Sequence, residues 1–223
     1  MKFSTKAIRV GQQPDPTTGS IVVPVYQAVN FVFDDVSRPH GFEYSRSANP
    51  TRTALEQCLA ALEEARFGLA FGSGMAAIDA VLSILRPGDH VVSSEHIYGG
   101  TFRLFEQVYW PRGVTFTYVD GTRPQAFAEA IQPGTKLVWI ETPANPLLQL
   151  VDVRAVAKIA HDRGAKLVAD NTFPSPYFQR PLAQGADIVM HSTTKYISGH
   201  SDVIGGAVLT NDDRLHETIK FYQ

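Results

Sequence analysis

The sequence has almost no cysteine, since Cys58 is the only thiol among its 223 residues. A single cysteine excludes an internal disulfide framework and fits a reducing compartment. Cys58 lies among Leu55, Leu59 and Leu62 at helical spacing. This spacing predicts a buried structural thiol rather than a reactive one.

Long apolar runs and a strong charge of one sign are also missing. No apolar run reaches the roughly 20 residues of a membrane-spanning helix, and residues 1–6 lead into no signal-type apolar stretch. The formal net charge is -2, from 20 basic and 22 acidic residues. We therefore predict a cytoplasmic protein with no nucleic-acid partner, no membrane partner and no metal site.

Strand-like apolar segments alternate with helical patterns from residue 67 to the end of the chain. This alternation predicts right-handed βαβ units, and hence an α/β fold with a mostly parallel sheet and helices on both faces. Residues 1–45 carry little regular pattern, and their one β-rich stretch, Ile21–Val25, is interrupted by Pro24. We expect residues 1–45 to form an arm that packs on a neighbouring subunit, and residues 46–223 to form the α/β domain.

A lysine follows one of the predicted buried strands. Lys195 comes shortly after the apolar run Ala186–Met190, so it is expected at the carboxyl end of that strand. Open α/β sheets bind ligands at this end, and an unpaired lysine is rarely placed there for packing. Its flexible stem and adjustable pKa suit a Schiff base with an aldehyde.

An acidic residue follows the preceding predicted strand. Asp170 ends the apolar run Ala165–Ala169 and can pair with a pyridinium nitrogen. An aldehyde with such a nitrogen is found in pyridoxal 5'-phosphate, which needs both a lysine and an acidic partner. The pair Lys195 and Asp170 therefore predicts a pyridoxal-phosphate enzyme.

Other segments offer groups for such a cofactor. Gly74 and Met75 follow the strand Phe67–Phe71 and open a helix, so their amides can bind a phosphate, although a glycine pair at this position is often only a turn. Tyr98, before two glycines, can lie flat on a planar ring or can be a core tyrosine at a helix entry. Arg46 and Tyr44 precede a helix start, where they can contact a phosphate or simply be solvated.

Five of the candidate residues occupy the same kind of position in the chain. Gly74, Tyr98, Asn145, Asp170 and Lys195 each fall just after a predicted strand. Because the carboxyl ends of the strands converge on one crevice, we expect the five residues to form a single site.

Six motifs in the chain together resemble those of a known family. In chain order they are Tyr44-Ser45-Arg46 with Asn49-Pro50-Thr51, Ser73-Gly74-Met75-Ala76-Ala77, Tyr98-Gly99-Gly100-Thr101, Glu141-Thr142-Pro143-Ala144-Asn145-Pro146, Asp170-Asn171-Thr172, and Ser192-Thr193-Thr194-Lys195-Tyr196 with Gly199-His200-Ser201-Asp202. With these motifs the chain resembles the Cys/Met-metabolism family of pyridoxal-phosphate enzymes. The family includes the cystathionine γ-synthases, γ-lyases and β-lyases, methionine γ-lyase and the homoserine sulfhydrylases. The resemblance runs from about residue 8 to the end of the chain.

The resemblance implies a type I, aspartate-aminotransferase-like fold and a homotetramer built as a dimer of dimers. It implies that Lys195 carries the cofactor, that Asp170 pairs with the pyridinium and that Tyr98 stacks on the ring. It also implies that the phosphate is bound by the amides of Gly74 and Met75 and the hydroxyls of Ser192 and Thr194. Asn145 is expected near the cofactor's phenolic oxygen, and Tyr44 and Arg46 are expected to contact the neighbouring subunit's site.

Two features narrow the expected activity. Gly100 stands where methionine γ-lyases typically place a cysteine, and the tract 170–181 looks most like cystathionine γ-lyases and γ-synthases. The expected substrates are cystathionine, or an activated homoserine plus cysteine. Three alternatives stay open: another member of the family, a cofactor-binding fragment without turnover, and a sugar aminotransferase of the same fold.

One departure concerns the end of the chain. Members of the family continue into a C-terminal domain that carries an arginine for the substrate's α-carboxylate, and residues 1–223 do not include it. Two interpretations stay open: the chain is a fragment, with the remainder cut off or in another chain, or it is a truncated relative of the family.

Overall fold

The structure is a computed structural model that describes residues 1–223. Seven strands form its main sheet: β3 Phe67–Phe71, β4 His90–Ser94, β5 Thr115–Val119, β6 Thr135–Glu141, β7 Lys166–Asp170, β8 Ile188–His191 and β9 Gly206–Thr210. Their order across the sheet is β3-β9-β8-β7-β6-β4-β5. Two short antiparallel strands near the start of the chain, β1 Phe33–Asp35 and β2 Arg38–Pro39, form a separate pair.

Strands β4 to β8 run parallel, and β9 runs antiparallel to both of its neighbours, β3 and β8. No helix separates β8 from β9; a loop joins them. The chain therefore returns into the sheet from the edge at which β8 ends, which requires an antiparallel strand. The predicted, mostly parallel sheet is confirmed.

Eight α-helices accompany the sheet. Their ranges are α1 Phe3–Arg9, α2 Pro50–Glu63, α3 Gly74–Leu82, α4 Gly99–Leu104, α5 Pro124–Ala130, α6 Val153–Asp162, α7 Ser175–Phe178 and α8 Asp213–Tyr222. A π-helical turn, Phe105–Tyr109, continues α4. Side-chain oxygens of Asn49, Ser73, Asp152 and Asp212 cap the amino ends of α2, α3, α6 and α8, as expected for these residue types. None of the helices is long and apolar enough to cross a bilayer.

The core lies on both faces of the sheet. One cluster joins Ile78 of α3 and Phe105 to Trp139 of β6, whose indole meets the Phe105 ring edge to face at 5.6 Å. The other joins Phe127 of α5 and Val156 of α6 to the opposite side of the sheet. The sheet is thus covered on both sides, and its inner strands are almost entirely buried, whereas the edge strands β3 and β5 are mostly half-buried.

Residues 1–45 contain no buried residue. The stretch Ile21–Val25 is not a strand, contrary to its β-rich composition. Its backbone instead pairs with side chains: the Thr51 hydroxyl donates to the Pro24 carbonyl, and Gln12 accepts from the Val23 amide, both at 2.9 Å. Cys58 is half-buried rather than buried, with its thiol near carbonyls of α1, and burial raises its pKa.

Candidate active site

A cavity of about 250 Å³ opens at the carboxyl ends of β3, β4, β6, β7 and β8. Its lining is Ser73, Gly74, Met75, Ile78, Tyr98, Glu141, Asn145, Asp170, Thr172, Phe173, Met190, Ser192, Thr194, Lys195 and Ile204. All five residues that were expected to share one crevice line it, and so do Met75, Ser192 and Thr194. The topology explains this convergence, because parallel strands bring the residues that follow them to one edge of the sheet.

One wall of the cavity is the start of α3. The Ser73 hydroxyl accepts from the Ala76 amide at 3.0 Å and caps the helix, which leaves the Gly74 and Met75 amides among the four N–H groups without a partner in the helix. A Cβ at Gly74 would lie 2.8 Å from the Ser192 Cβ. Glycine is thus required at position 74 for the helix start to approach the Ser192 side chain. Free amides, a helix dipole and a hydroxyl together form a good anion site.

Thr194 also lines the cavity, but its hydroxyl already forms hydrogen bonds within the protein. Its Oγ1 donates to the Gly205 carbonyl at 3.1 Å and accepts from the Gly205 amide at 3.0 Å. To donate to a phosphate, this hydroxyl would have to release the carbonyl, whereas the Ser192 hydroxyl has no such competing bond.

Asp170 and Lys195 line the cavity from neighbouring strand ends. Asp170 is buried, and its Oδ1 accepts from the Thr172 amide at 3.0 Å. Burial raises the pKa of Asp170, while this hydrogen bond and nearby His191 lower it. Such a carboxyl gains most from a cationic partner, because a buried charge needs a counter-charge. Lys195 is exposed at the cavity's open side.

Tyr98 stands at the rim, 43% exposed, immediately before α4. Its ring lies over Gly100: a Cβ at position 100 would be 2.4 Å from Tyr98 Cε1 and 2.8 Å from Met75 Sδ. The absence of a side chain at position 100 therefore leaves the space in which the tyrosine ring sits.

Glu141 also lines the cavity. It opens the motif Glu141–Pro146, but the sequence predicted no role for it. It is buried at the end of β6, and its carboxylate accepts the Tyr98 amide at 2.6 Å and the Asn145 amide at 3.0 Å. Burial and the adjacent Asp170 charge raise the pKa of Glu141 to about 8, against the effect of the two amides. Its place at the end of a buried strand was a signal that could have identified it.

A buried polar cluster lies behind the cavity, around Glu63 at the end of α2. Glu63 Oε1 is 2.6 Å from His191 Nε2 and accepts from Asn171 Nδ2 at 2.7 Å. Asn171 also donates to the Gln179 carbonyl. The sequence did not predict this cluster either, since Glu63 is more than 100 residues from both Asn171 and His191 along the chain.

Tyr44 and Arg46 do not line the cavity. They lie in the segment before α2, with the Arg46 guanidinium 5.0 Å from the centre of the Tyr44 ring. Arg52 fixes this segment, because its guanidinium donates to the carbonyls of residues 45, 46 and 47 at 3.5, 3.1 and 2.6 Å. The two residues therefore lie exposed on the surface and do not contribute to this cavity. No group of three or more His, Cys, Asp or Glu side chains is placed to hold a metal ion.

The fold and the pocket define an α/β protein with a ligand site at the carboxyl edge of its sheet. A solved structure, that of metB from Corynebacterium glutamicum, matches with a TM-score of 0.98 and 50% identity over 99% of this chain and 58% of that one. The family model for Cys/Met metabolism PLP-dependent enzymes matches residues 4–223. The chain belongs to this family, and its fold is the type I fold that the resemblance implied.

Two curated relatives with different named activities have similar identity to this chain. Cystathionine gamma-synthase of Mycobacterium tuberculosis is 53% identical over 99% of this chain and 57% of its own length. Cystathionine gamma-lyase of Bacillus subtilis is 48% identical over 100% of this chain and 59% of its own length. The chain spans between 57% and 69% of the length of such relatives.

Proposed function

We propose that the protein is a pyridoxal-phosphate-dependent trans-sulfuration enzyme that acts on sulfur amino acids by γ-elimination or γ-replacement, as a cystathionine γ-lyase or γ-synthase. The observation that carries this proposal is that Lys195, Asp170 and Tyr98 line one cavity together with the start of α3, whose first amides have no partner in the helix. Family membership and relatives named cystathionine gamma-synthase and gamma-lyase support it.

The residues of the cavity fit pyridoxal phosphate. The unpartnered amides of Gly74 and Met75 and the Ser192 hydroxyl suit its phosphate, with Thr194 beside them. The buried Asp170 carboxylate suits a protonated ring nitrogen. Tyr98 offers an aromatic face for the ring, and the Asn145 side chain offers a donor for its phenolic oxygen. Lys195 Nζ is the attachment point for the aldehyde.

When bound, the cofactor supplies an electron sink for the substrate's Cα. The chain supplies the proton transfers. We assign the Lys195 amine as the base that takes the Cα proton and then moves protons at Cβ, because it is the only lysine that lines the cavity. We assign the Tyr98 hydroxyl as the acid that protonates the departing γ-substituent, since it stands at the exposed rim where substrate enters.

We further propose a cytoplasmic homotetramer, a dimer of dimers, in which residues 1–45 pack on a neighbouring subunit and Tyr44 and Arg46 bind the phosphate in that subunit's site. The exposed apolar side chains of residues 21–36 support this arrangement.

The test combines cofactor attachment with product analysis. We expect borohydride reduction to fix the cofactor on the peptide containing Lys195, and the protein to convert cystathionine, or O-succinyl- or O-acetylhomoserine plus cysteine, in preference to methionine. Lys195→Ala should abolish both results, whereas Lys158→Ala, an exposed lysine paired with Asp162, should leave both unchanged. Turnover of cystathionine by Lys195→Ala would contradict the proposal.

A further inference from the structure

Glu141 connects two loops of the cavity through one carboxylate. It is only 6% exposed, and its two oxygens face different backbone groups: Oε2 accepts the Tyr98 N–H at 2.6 Å and Oε1 accepts the Asn145 N–H at 3.0 Å. Tyr98 opens the loop-to-helix turn after β4, and Asn145 belongs to the loop after β6. The carboxylate therefore holds the backbones of two separate loops at a fixed distance.

Neither amide has another acceptor. The Tyr98 and Asn145 N–H groups donate only to Glu141, and Tyr98 caps α4 without a side-chain hydrogen bond. A buried N–H group that loses its only acceptor costs about 1–3 kcal/mol. Loss of the carboxylate would thus free both loops, while the strands beneath them keep their own hydrogen bonds.

The two loops carry the side chains that we assign to the face and the phenolic oxygen of the cofactor. We propose that Glu141 is a positioning residue, which fixes the Tyr98 ring and the Asn145 side chain for a planar ligand in the cavity. This inference rests on the proposed function, because that ligand is pyridoxal phosphate.

The neighbouring Asp170 affects the protonation of Glu141. Glu141 pairs with Asp170 in the parallel register of β6 and β7, so two carboxyls lie side by side in a buried place. Their repulsion contributes to the raised pKa of Glu141. A ligand with a cationic ring nitrogen at Asp170 would reduce that repulsion and so favour the carboxylate form of Glu141. The carboxylate form is a stronger acceptor for the two amides than the protonated form.

The first test is the binding of pyridoxal phosphate to cofactor-free protein, followed by absorbance. Glu141→Gln keeps the volume but offers one acceptor oxygen for two amides, so we expect its Kd to rise about tenfold, the equivalent of one lost buried hydrogen bond. In a Tyr98→Ala/Asn145→Ala background the same change should raise Kd by less than about twofold, because residues that act through each other are not additive.

Asp187→Asn is the matched control. The Asp187 side chain is also largely buried and accepts a backbone amide, that of Leu167, at 2.8 Å, but it lies before β8 at the opposite edge of the sheet and does not line the cavity. We expect its Kd to equal that of the unchanged protein. Equal Kd values for Glu141→Gln and the unchanged protein, or an undiminished effect in the double-variant background, would overturn the inference.

A second measurement needs no variant. Hydrogen exchange of the unchanged protein should show protected amides at Tyr98 and Asn145, and rapid exchange of both would also overturn the inference if Glu141→Gln proved unable to fold. The proposed function fails by a different result, namely an unchanged protein whose Lys195 takes up no pyridoxal phosphate.

Discussion

At the scale of single residues, Gly99 and Gly100 occupy adjacent positions at the start of α4 in different surroundings. A Cβ at Gly99 would meet nothing within 4 Å, whereas one at Gly100 would meet the Tyr98 ring and Met75 Sδ. Both contacts are with ends of flexible side chains, so the ring should rotate away and the fold should survive.

We therefore expect Gly100→Ala to weaken the binding of pyridoxal phosphate about tenfold, the lower end of the 1–3 kcal/mol range for overpacking. The melting temperature should stay within about 2 °C, since Ala also favours the helix. Gly99→Ala is the control, with unchanged affinity expected in the same titration. Equal affinity of the two variants would show that the ring position does not depend on Gly100.

Another residue-scale prediction concerns the pH dependence of stability. Burial, with the charge of Asp170, raises the pKa of Glu141 from an ordinary 4.5 to about 8. Between these two pH values the folded protein holds a proton that the unfolded chain has lost, so a rise in pH favours unfolding. We expect the free energy of unfolding of cofactor-free protein to fall as the pH rises through this interval.

Glu141→Gln isolates this contribution, because Asp170, whose pKa burial also raises, remains in both proteins. Urea denaturation at several pH values from 5 to 9, a span of about four units around the raised pKa, should give a shallower decline for Glu141→Gln. A steeper or equal decline for the variant would assign the pH dependence to other groups.

At the scale of elements, α2 is joined to the ends of β7 and β8 by the buried Glu63 cluster. Glu63→Ala removes the acceptor for His191 Nε2 and Asn171 Nδ2, which are both buried. We expect a loss of about 2–4 kcal/mol in the free energy of unfolding. Two buried N–H groups lose their acceptor, one of His191 and one of Asn171, whose Nδ2 keeps its bond to the Gln179 carbonyl. Chemical denaturation measures this loss directly.

The neighbouring glutamate provides the control. Glu64 lies one residue further along, with its side chain 50% exposed, and forms only surface ion pairs with Lys6 and Arg180. Glu64→Ala should cost less than about 1 kcal/mol, the usual range for exposed pairs. Similar losses for the two variants would show that the buried cluster does not join α2 to the sheet.

The regular elements were those that the sequence predicted best. Periodicity identified every strand from β3 to β9 to within a few residues, because buried strands and amphipathic helices leave a local pattern. The stretch Ile21–Val25, where Pro24 argues against a central strand, forms no strand, and its hydrogen bonds to the side chains of Gln12 and Thr51 follow from no local pattern. The Glu63 cluster was missed for the same reason: its contacts are set by the topology of the sheet.

The candidate site was largely predictable because it follows one rule. Gly74, Tyr98, Asn145, Asp170 and Lys195 were all expected after strands, and all line the cavity. The shared hydrogen bonds of Glu141 could not be predicted, since they depend on the distance between two loops. Likewise, the sequence could not show that the Thr194 hydroxyl is already engaged by Gly205.

At the scale of the whole molecule, the segment with Tyr44 and Arg46 is the part that a single subunit leaves unexplained. Arg52 donates to three carbonyls of this segment and so fixes the backbone of the segment at the surface. An ordered, exposed arginine beside an exposed tyrosine ring is well placed to bind an anion on another surface. In the proposed oligomer that surface is the phosphate end of the neighbouring cavity.

Subunit complementation tests this arrangement. Arg46→Ala and Lys195→Ala should each have low activity with cystathionine, the first through loss of a phosphate contact and the second through loss of the attachment point. If Arg46 serves the neighbouring subunit, a mixed dimer has one site with both defects and one site with none. Co-expression of the two variants with different affinity tags, and isolation of the doubly tagged species, should then recover activity well above that of either variant, because each mixed dimer within the tetramer has one native site of two. Arg112→Ala, an exposed arginine that stacks on Tyr109 away from the cavity, replaces Arg46→Ala in the control and should itself be fully active. Were Arg46 to serve its own subunit, each mixed dimer would hold two damaged sites, and its activity would not exceed the mean of the two variants.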